Sequence, residues 1–251
     1  ARPAATDPAF VDGQTVYLWG EAYTLRLEEA SRGRSALRRG QEIVLSVHPE
    51  DDTSQRESLL NDFYREALSE RIAARLPLWE ARTGLHPSAW QIKNMKTRWG
   101  TCNTATRKIW LNLQLAKQPP VCLDYVIAHE LAHLRGVARE DEANFCAVVA
   151  CLESGDEDYR YSGALLAYIY LGNALYSADY DAWREVYSTL SENVRADLRA
   201  NNDYWARFET PAADVSEKVY ESFLQTYGDD RGMQSYGACV DLLTVYYLDT
   251  E

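Results

Sequence analysis

Residues 129–133 of this 251-residue chain read HELAH, two histidines four apart with a glutamate directly after the first. On an α-helix, residues four apart project from one face, so His129 and His133 would offer two imidazole nitrogens to one cation. Zinc suits such donors, and a catalytic zinc site uses three protein ligands plus a water. The pKa of that water falls toward about 7. Glu130, on the adjacent flank, would take the water's proton and later pass it to a leaving amine. The expected chemistry is hydrolysis of a peptide bond with Zn2+ as cofactor. The competing reading is a helix whose histidines are hydrogen-bonded in the core; the apolar flanks of ELAHL favour the motif helix.

The third ligand is the open point. His48 and His86 are the other histidines; both precede the motif and read as surface residues. Gly136 follows His133 by three residues, where a chain can leave a helix and reverse. Position 139, at which a metzincin would keep its third ligand, is Arg139, which has no lone pair to offer. The next residues, EDEAN, resemble the ExxAN/D element by which glutamate-type zinc peptidases supply a third ligand from a second helix. That resemblance nominates Glu140, with Ala143 and Asn144 completing the pattern. Glu142 and Asp141 are rivals by proximity, and all three acids also suit a helix N-terminus through its dipole.

The net charge of −12 argues against general binding to a polyanion such as nucleic acid. The charge is uneven: 17 basic and 16 acidic residues nearly cancel through Leu134, and the remainder holds 9 against 22. That asymmetry suggests two units of different character. Five cysteines, odd in number and without CxxC spacing, fit a reducing compartment. ARPAATDPAF shows neither the basic start nor the apolar core of a signal peptide, and the apolar run ALLAYIYLGNALY is too short to span a bilayer. The expectation is a soluble, cytoplasmic chain.

Elements to position the motif are visible in the pattern. After a lead-in over 1–14, TVYLWG, AYTLRLEEA and EIVLSVHPE read as a small antiparallel or mixed sheet, with the basic SRGRSALRRG as a solvated loop. Leu59, Leu60, Phe63, Leu68, Ile72, Leu76 and Trp79 predict a helix that Gly84 ends. AWQIKNM and KIWLNLQLA follow as strands, the second with Ile109, Leu111, Leu113 and Leu115 on one face and Trp110, Asn112 and Gln114 on the other. KTRWGTCNTATRK between them reads as a loop. Pro119-Pro120 closes the strand region, and Val121 opens the motif helix. Beyond Gly136 every apolar pattern is helical, from EDEANFCAVVACLES through SEKVYESFLQTYG to SYGACVDLLTVYYL. The predicted fold is α+β: an α+β unit over 15–136 with the motif helix, then an all-helical unit over 137–251 packed on the site.

Two resemblances meet at the motif. MKTRWGTCN, KIWLNLQLAKQPP and DYVIAHELAHL make residues 16–134 resemble the YgjP-like branch of the SprT-like metallopeptidases. HELAHLRGVAREDEANF, ACLES, YRYSG and NALY make the stretch from His129 onward resemble a second, uncharacterised zinc metallopeptidase group whose usual members carry membrane helices before the motif. The two overlap at HELAHL, as in a natural fusion, an engineered chimera or an unusual lineage. They imply a zinc metallopeptidase acting on a peptide or protein substrate, with His129, His133 and Glu140 as ligands and Glu130 as base and acid. The strand KIWLNLQLA could pair with an extended peptide if it lay at a sheet edge. Arg98 and Trp99 could shape the cleft, and Tyr159, Tyr161 or Tyr236 could stabilise an oxyanion. The alternative is a non-catalytic helical interaction protein with an incomplete or structural metal site.

Overall fold

A computed structural model describes residues 9–31, 33–205 and 235–248. The chain is α+β and divides into two compact units, 1–135 and 136–251.

The first unit opens with four strands, β1 (Thr15–Leu18), β2 (Glu21–Glu29), β3 (Ser35–Arg39) and β4 (Glu42–Val47), in the order β1-β2-β4-β3. The sheet is mixed, one of the two forms expected: β2 and β4 run parallel, and the other pairs are antiparallel. The loop expected at SRGRSALRRG contains a strand, SALRR. Its residues are almost all exposed, so it lacks the alternation that marks a half-buried strand. Its last arginine is neutralised: Arg39 contacts Glu28 of β2 at 2.8 Å. Val16, Leu18, Tyr23, Leu25, Ile43, Leu45 and Val47 bury the apolar face.

Helix α1 (Thr53–Thr83) is started by Asp52, which caps the Gln55 amide in a reciprocal capping box, and it ends at Gly84. Leu60, Tyr64, Leu68, Ile72, Leu76 and Trp79 form its buried stripe. Tyr64 takes the place that the sequence pattern gives to Phe63 and Leu59, because successive four-residue steps from Leu60 follow the helix face more closely.

A second sheet holds β5 (Ala89–Lys93), β6 (Gly100–Asn103) and β7 (Lys108–Asn112) in the order β5-β7-β6. Two expectations are corrected here. The region KTRWGTCNTATRK is not all loop, because GTCN pairs antiparallel with β7. The strand at KIWLNLQLA stops at Asn112, and Leu113–Lys117 is a 3-10 helix. The Asn112 side chain accepts the Gln114 amide at 3.1 Å, which turns the chain out of the extended form. Alternation therefore fails at Asn112, which is buried together with Ile109 and Leu111.

Helix α2 (Pro120–Arg135) carries the HELAH motif. Its buried Asp124 accepts hydrogen bonds from Arg75 Nε at 2.8 Å and Trp79 Nε1 at 2.6 Å, both on α1.

In the second unit α3 (Glu140–Leu152), α4 (Glu157–Ala178), α5 (Tyr180–Thr189), α6 (Glu192–Trp205) and α7 (Ser235–Leu248) are all helical. Asp156 and Asp179 cap α4 and α5. Tyr161 of α4 donates to Asp197 of α6, and Tyr246 of α7 donates to Glu153 after α3. The expected helix at SEKVYESFLQTYG lies outside the described residues. Among the described residues no helix is long and apolar enough to cross a membrane.

Candidate metal centre

Four-residue spacing on α2 brings the two imidazoles face to edge. His129 Nε2 and His133 Nε2 are 3.0 Å apart, with ring centroids 4.7 Å apart and planes 82° to one another. Two nitrogens at about 2.1 Å from one tetrahedral ion would be separated by about 3.4 Å, so the pair already stands near ligand spacing. Gly136, with φ of 109°, ends the helix in a backbone conformation that side-chain-bearing residues avoid, and α3 begins at Glu140. Ligand atoms of His129, His133 and Glu140 all lie within 4.8 Å of one another. Both histidines are half-buried and Glu140 is exposed. Two imidazole nitrogens and one carboxylate oxygen form a donor set that fits zinc.

The neighbouring acids have other positions. Asp141 is buried and takes Arg139 Nε at 3.4 Å, whereas Glu142 stands 3.8 Å from the same nitrogen. Neither joins the cluster. His48, just after β4, gives its amide to Asp51, and His86 stands 3.6 Å from Glu80; both are also outside the cluster. Tyr161 has its hydroxyl committed to Asp197 and its pKa pushed up to about 12, first by burial and then by that bond. Tyr159 is buried in α4, and the side chain of Tyr236 lies outside the described residues.

Glu130 is 3% exposed. Its carboxylate lies against Gly100 at the start of β6: a Cβ added to Gly100 would stand 2.9 Å from Glu130 Cδ and 2.8 Å from Val126 Cγ1. Cys102, two residues along the same strand and hence on the same face, has its thiol pushed up to about 11 by burial and by the Glu130 charge. It therefore stays protonated at neutral pH, which makes it a poor nucleophile and a poor metal ligand.

Asn112 organises the loop that delivers this strand. Its Nδ2 donates to Met95 O at 2.9 Å and Arg98 O at 2.6 Å, and its Oδ1 accepts from Met95 N at 3.2 Å. Its own amide donates to Trp99 O at 2.8 Å. The carbonyls of Arg98 and Trp99 thus hold the backbone before Gly100. Sequence reasoning missed Asn112 and Gly100, because the pattern puts Asn112 on the outer face of a strand and Gly100 in a loop.

Of the two readings of KIWLNLQLA, edge or interior strand, the structure has the interior one: β7 is central, and β5 and β6 are the edges. The bond from Asn112 to Trp99 makes positions 99 and 112 a hydrogen-bonded pair, so the alternate pairs Thr101–Trp110 and Asn103–Lys108 also face each other. Gly100 and Cys102 consequently turn their N–H and C=O groups to the outer side of β6.

Residues 1–152 match the family described as YgjP-like, metallopeptidase domain, and residues 114–244 match the one described as protein of unknown function DUF3810. The matches share residues 114–152, a longer stretch than HELAHL. No curated protein and no solved structure matches the chain. Helix α2, with its paired histidines and buried glutamate, falls inside both spans: the chain belongs to the YgjP-like metallopeptidase family through its first 152 residues and to DUF3810 through residues 114–244.

Proposed function

We propose that this chain is a zinc-dependent peptidase in which His129, His133 and Glu140 hold the metal and Glu130 is the general base and acid. One observation carries the reading: donor atoms of two histidines and one glutamate lie within 4.8 Å of one another, beside a buried glutamate that follows the first histidine directly. Among the described residues the cluster has three members. Structural zinc sites are closed by four protein ligands, whereas catalytic ones use three and stay open. The exposure of Glu140 suits access from solvent.

Zinc, when bound, supplies Lewis-acid chemistry that brings the pKa of water toward about 7. Glu130 accepts the proton of the attacking water and returns it to the departing amine nitrogen. Its burial favours that shuttle, because a carboxylate screened from bulk water keeps its proton exchange within the site. The outward N–H and C=O groups of Gly100 and Cys102 offer an extended peptide a strand to pair with, close to Glu130. The substrate class is therefore a peptide or an unfolded protein segment.

The test compares the full chain with Glu130→Gln for metal content and for cleavage of a quenched-fluorescent peptide mixture. The variant keeps its zinc, because the ligands are untouched, and loses hydrolysis by about a hundredfold or more. Equal hydrolysis by both proteins removes Glu130 from the chemistry.

A further inference from the structure

Glycine inside a strand weakens it, and its presence there often marks a close approach by another group. At Gly100 that group is the Glu130 carboxylate. Carbon atoms in contact prefer about 3.5–4.0 Å. A Cβ introduced at position 100 would stand at 2.9 Å from Glu130 Cδ and 2.8 Å from Val126 Cγ1. Val126 is one helical turn before Glu130 on α2, so a side chain at 100 would press on both at once. The carboxylate end of Glu130 is the more easily displaced of the two, since it sits at the tip of a longer side chain, and it is the part that gives way.

The backbone at Gly100 is itself held. The Asn112 amide donates to Met95 O and Arg98 O, and its oxygen accepts from Met95 N and Gln114 N. Aspartate has no hydrogen to donate to those carbonyls, so only the amide satisfies the set. Asn112 is 4% exposed, which makes each of these bonds costly to lose. The consequence is a rigid floor under Glu130, built from one residue with no side chain and one whose side chain is fully engaged.

We propose that Gly100, fixed by the Asn112 clamp, is the positioning residue that seats the Glu130 carboxylate for proton transfer. This inference rests on the reading of Glu130 as base. A carboxylate misplaced by about 1 Å costs on the order of a hundredfold in rate, because proton transfer needs hydrogen-bond distance.

The experiment uses the full chain carrying Gly100→Ala, Glu130→Ala, both together, and Glu130→Gln as control, with the quenched-fluorescent peptide mixture as substrate. Gly100→Ala binds zinc as the parent does, keeps KM within about twofold and loses kcat by about tenfold to a hundredfold. Parental kcat in this variant overturns the inference. If Gly100→Ala fails to fold, the comparison is made in a Val126→Ala background, which removes the other close contact. There the double variant regains most of the stability of its Glu130→Ala counterpart, since the carboxylate that the added methyl group would strike is gone; a double variant that is no better overturns the inference as well. Failure of the base reading shows separately, as hydrolysis by Glu130→Gln at the parental rate. In that case the crystal structure of Gly100→Ala decides: a carboxylate displaced from its parental place supports the seat, and an unmoved one overturns it.

Discussion

The contact between α1 and α2 gives a stability prediction that can be worked from the structure. Asp124 is fully buried, and its Oδ1 accepts from both Arg75 Nε at 2.8 Å and Trp79 Nε1 at 2.6 Å. Replacing it by alanine leaves a buried indole N–H and a guanidinium without that acceptor. Breaking a buried ion pair from one side costs about 3–5 kcal/mol. The Arg75 side chain is 21% exposed, so water recovers part of its loss, while Trp79, at 2% exposed, recovers little. We expect Asp124→Ala to cost about 3–4 kcal/mol, near the lower end of that range. Asp124→Asn keeps an Oδ1 that can accept from both donors and loses only the charge assistance, which sets its cost at about half as much. The assay is urea unfolding followed by tryptophan fluorescence, with Trp79→Phe as a second arm. Removing the indole N–H costs about 1–2 kcal/mol, and combining it with Asp124→Ala falls short of additivity because both act on one network. A loss below about 1 kcal/mol for Asp124→Ala would refute the claim that this carboxylate anchors the motif helix to α1.

Other expectations concern the metal and the thiols. Glu140→Ala lowers zinc affinity by at least about tenfold, whereas Glu142→Ala changes it by less than about twofold; the reverse ranking transfers the ligand role to Glu142. Cys102 and Cys122 are pushed up to about 11 and Cys239 to about 12, in each case chiefly by burial. Between their unfolded value of 9.0 and these folded values the folded chain holds more protons than the unfolded one, so the thiols' contribution to stability is flat below pH 9.0 and falls as pH rises through that window. Urea midpoints measured from about pH 7 to about pH 11 check the sign, and a midpoint that climbs above pH 9.0 refutes it. Because the Glu130 charge is the second cause at Cys102, Glu130→Gln makes that thiol alkylate faster at a given alkaline pH; mass mapping of the labelled peptide reads the change.

Helix α1 was legible because its signals are local: apolar residues recur at helical spacing and Gly84 stops the end. The HELAH pair was legible for the same reason, since a helix brings residues four apart together without help from the rest of the chain. The helical character of the second half followed from the same periodicity. Strand β6 was not legible. Two of its four residues, Gly100 and Asn103, are types that strands disfavour, and the segment is extended because β7 offers it pairing partners. SALRR was hidden by its exposure, and the parallel pairing of β2 with β4 leaves no mark in either segment.

The amino-acid order by itself determined which groups are available for chemistry, because the identities and the four-residue spacing of His129, Glu130 and His133 need only one turn of helix to become a donor set with an acid beside it. Tertiary structure alone decided that Gly100, thirty residues earlier, lies beneath that acid and that Asn112 holds the loop leading to it. Those relations depend on strand order and on a close approach between a sheet and a helix. Helical hydrogen bonds close within four residues, whereas such contacts join segments that only the assembled fold brings together.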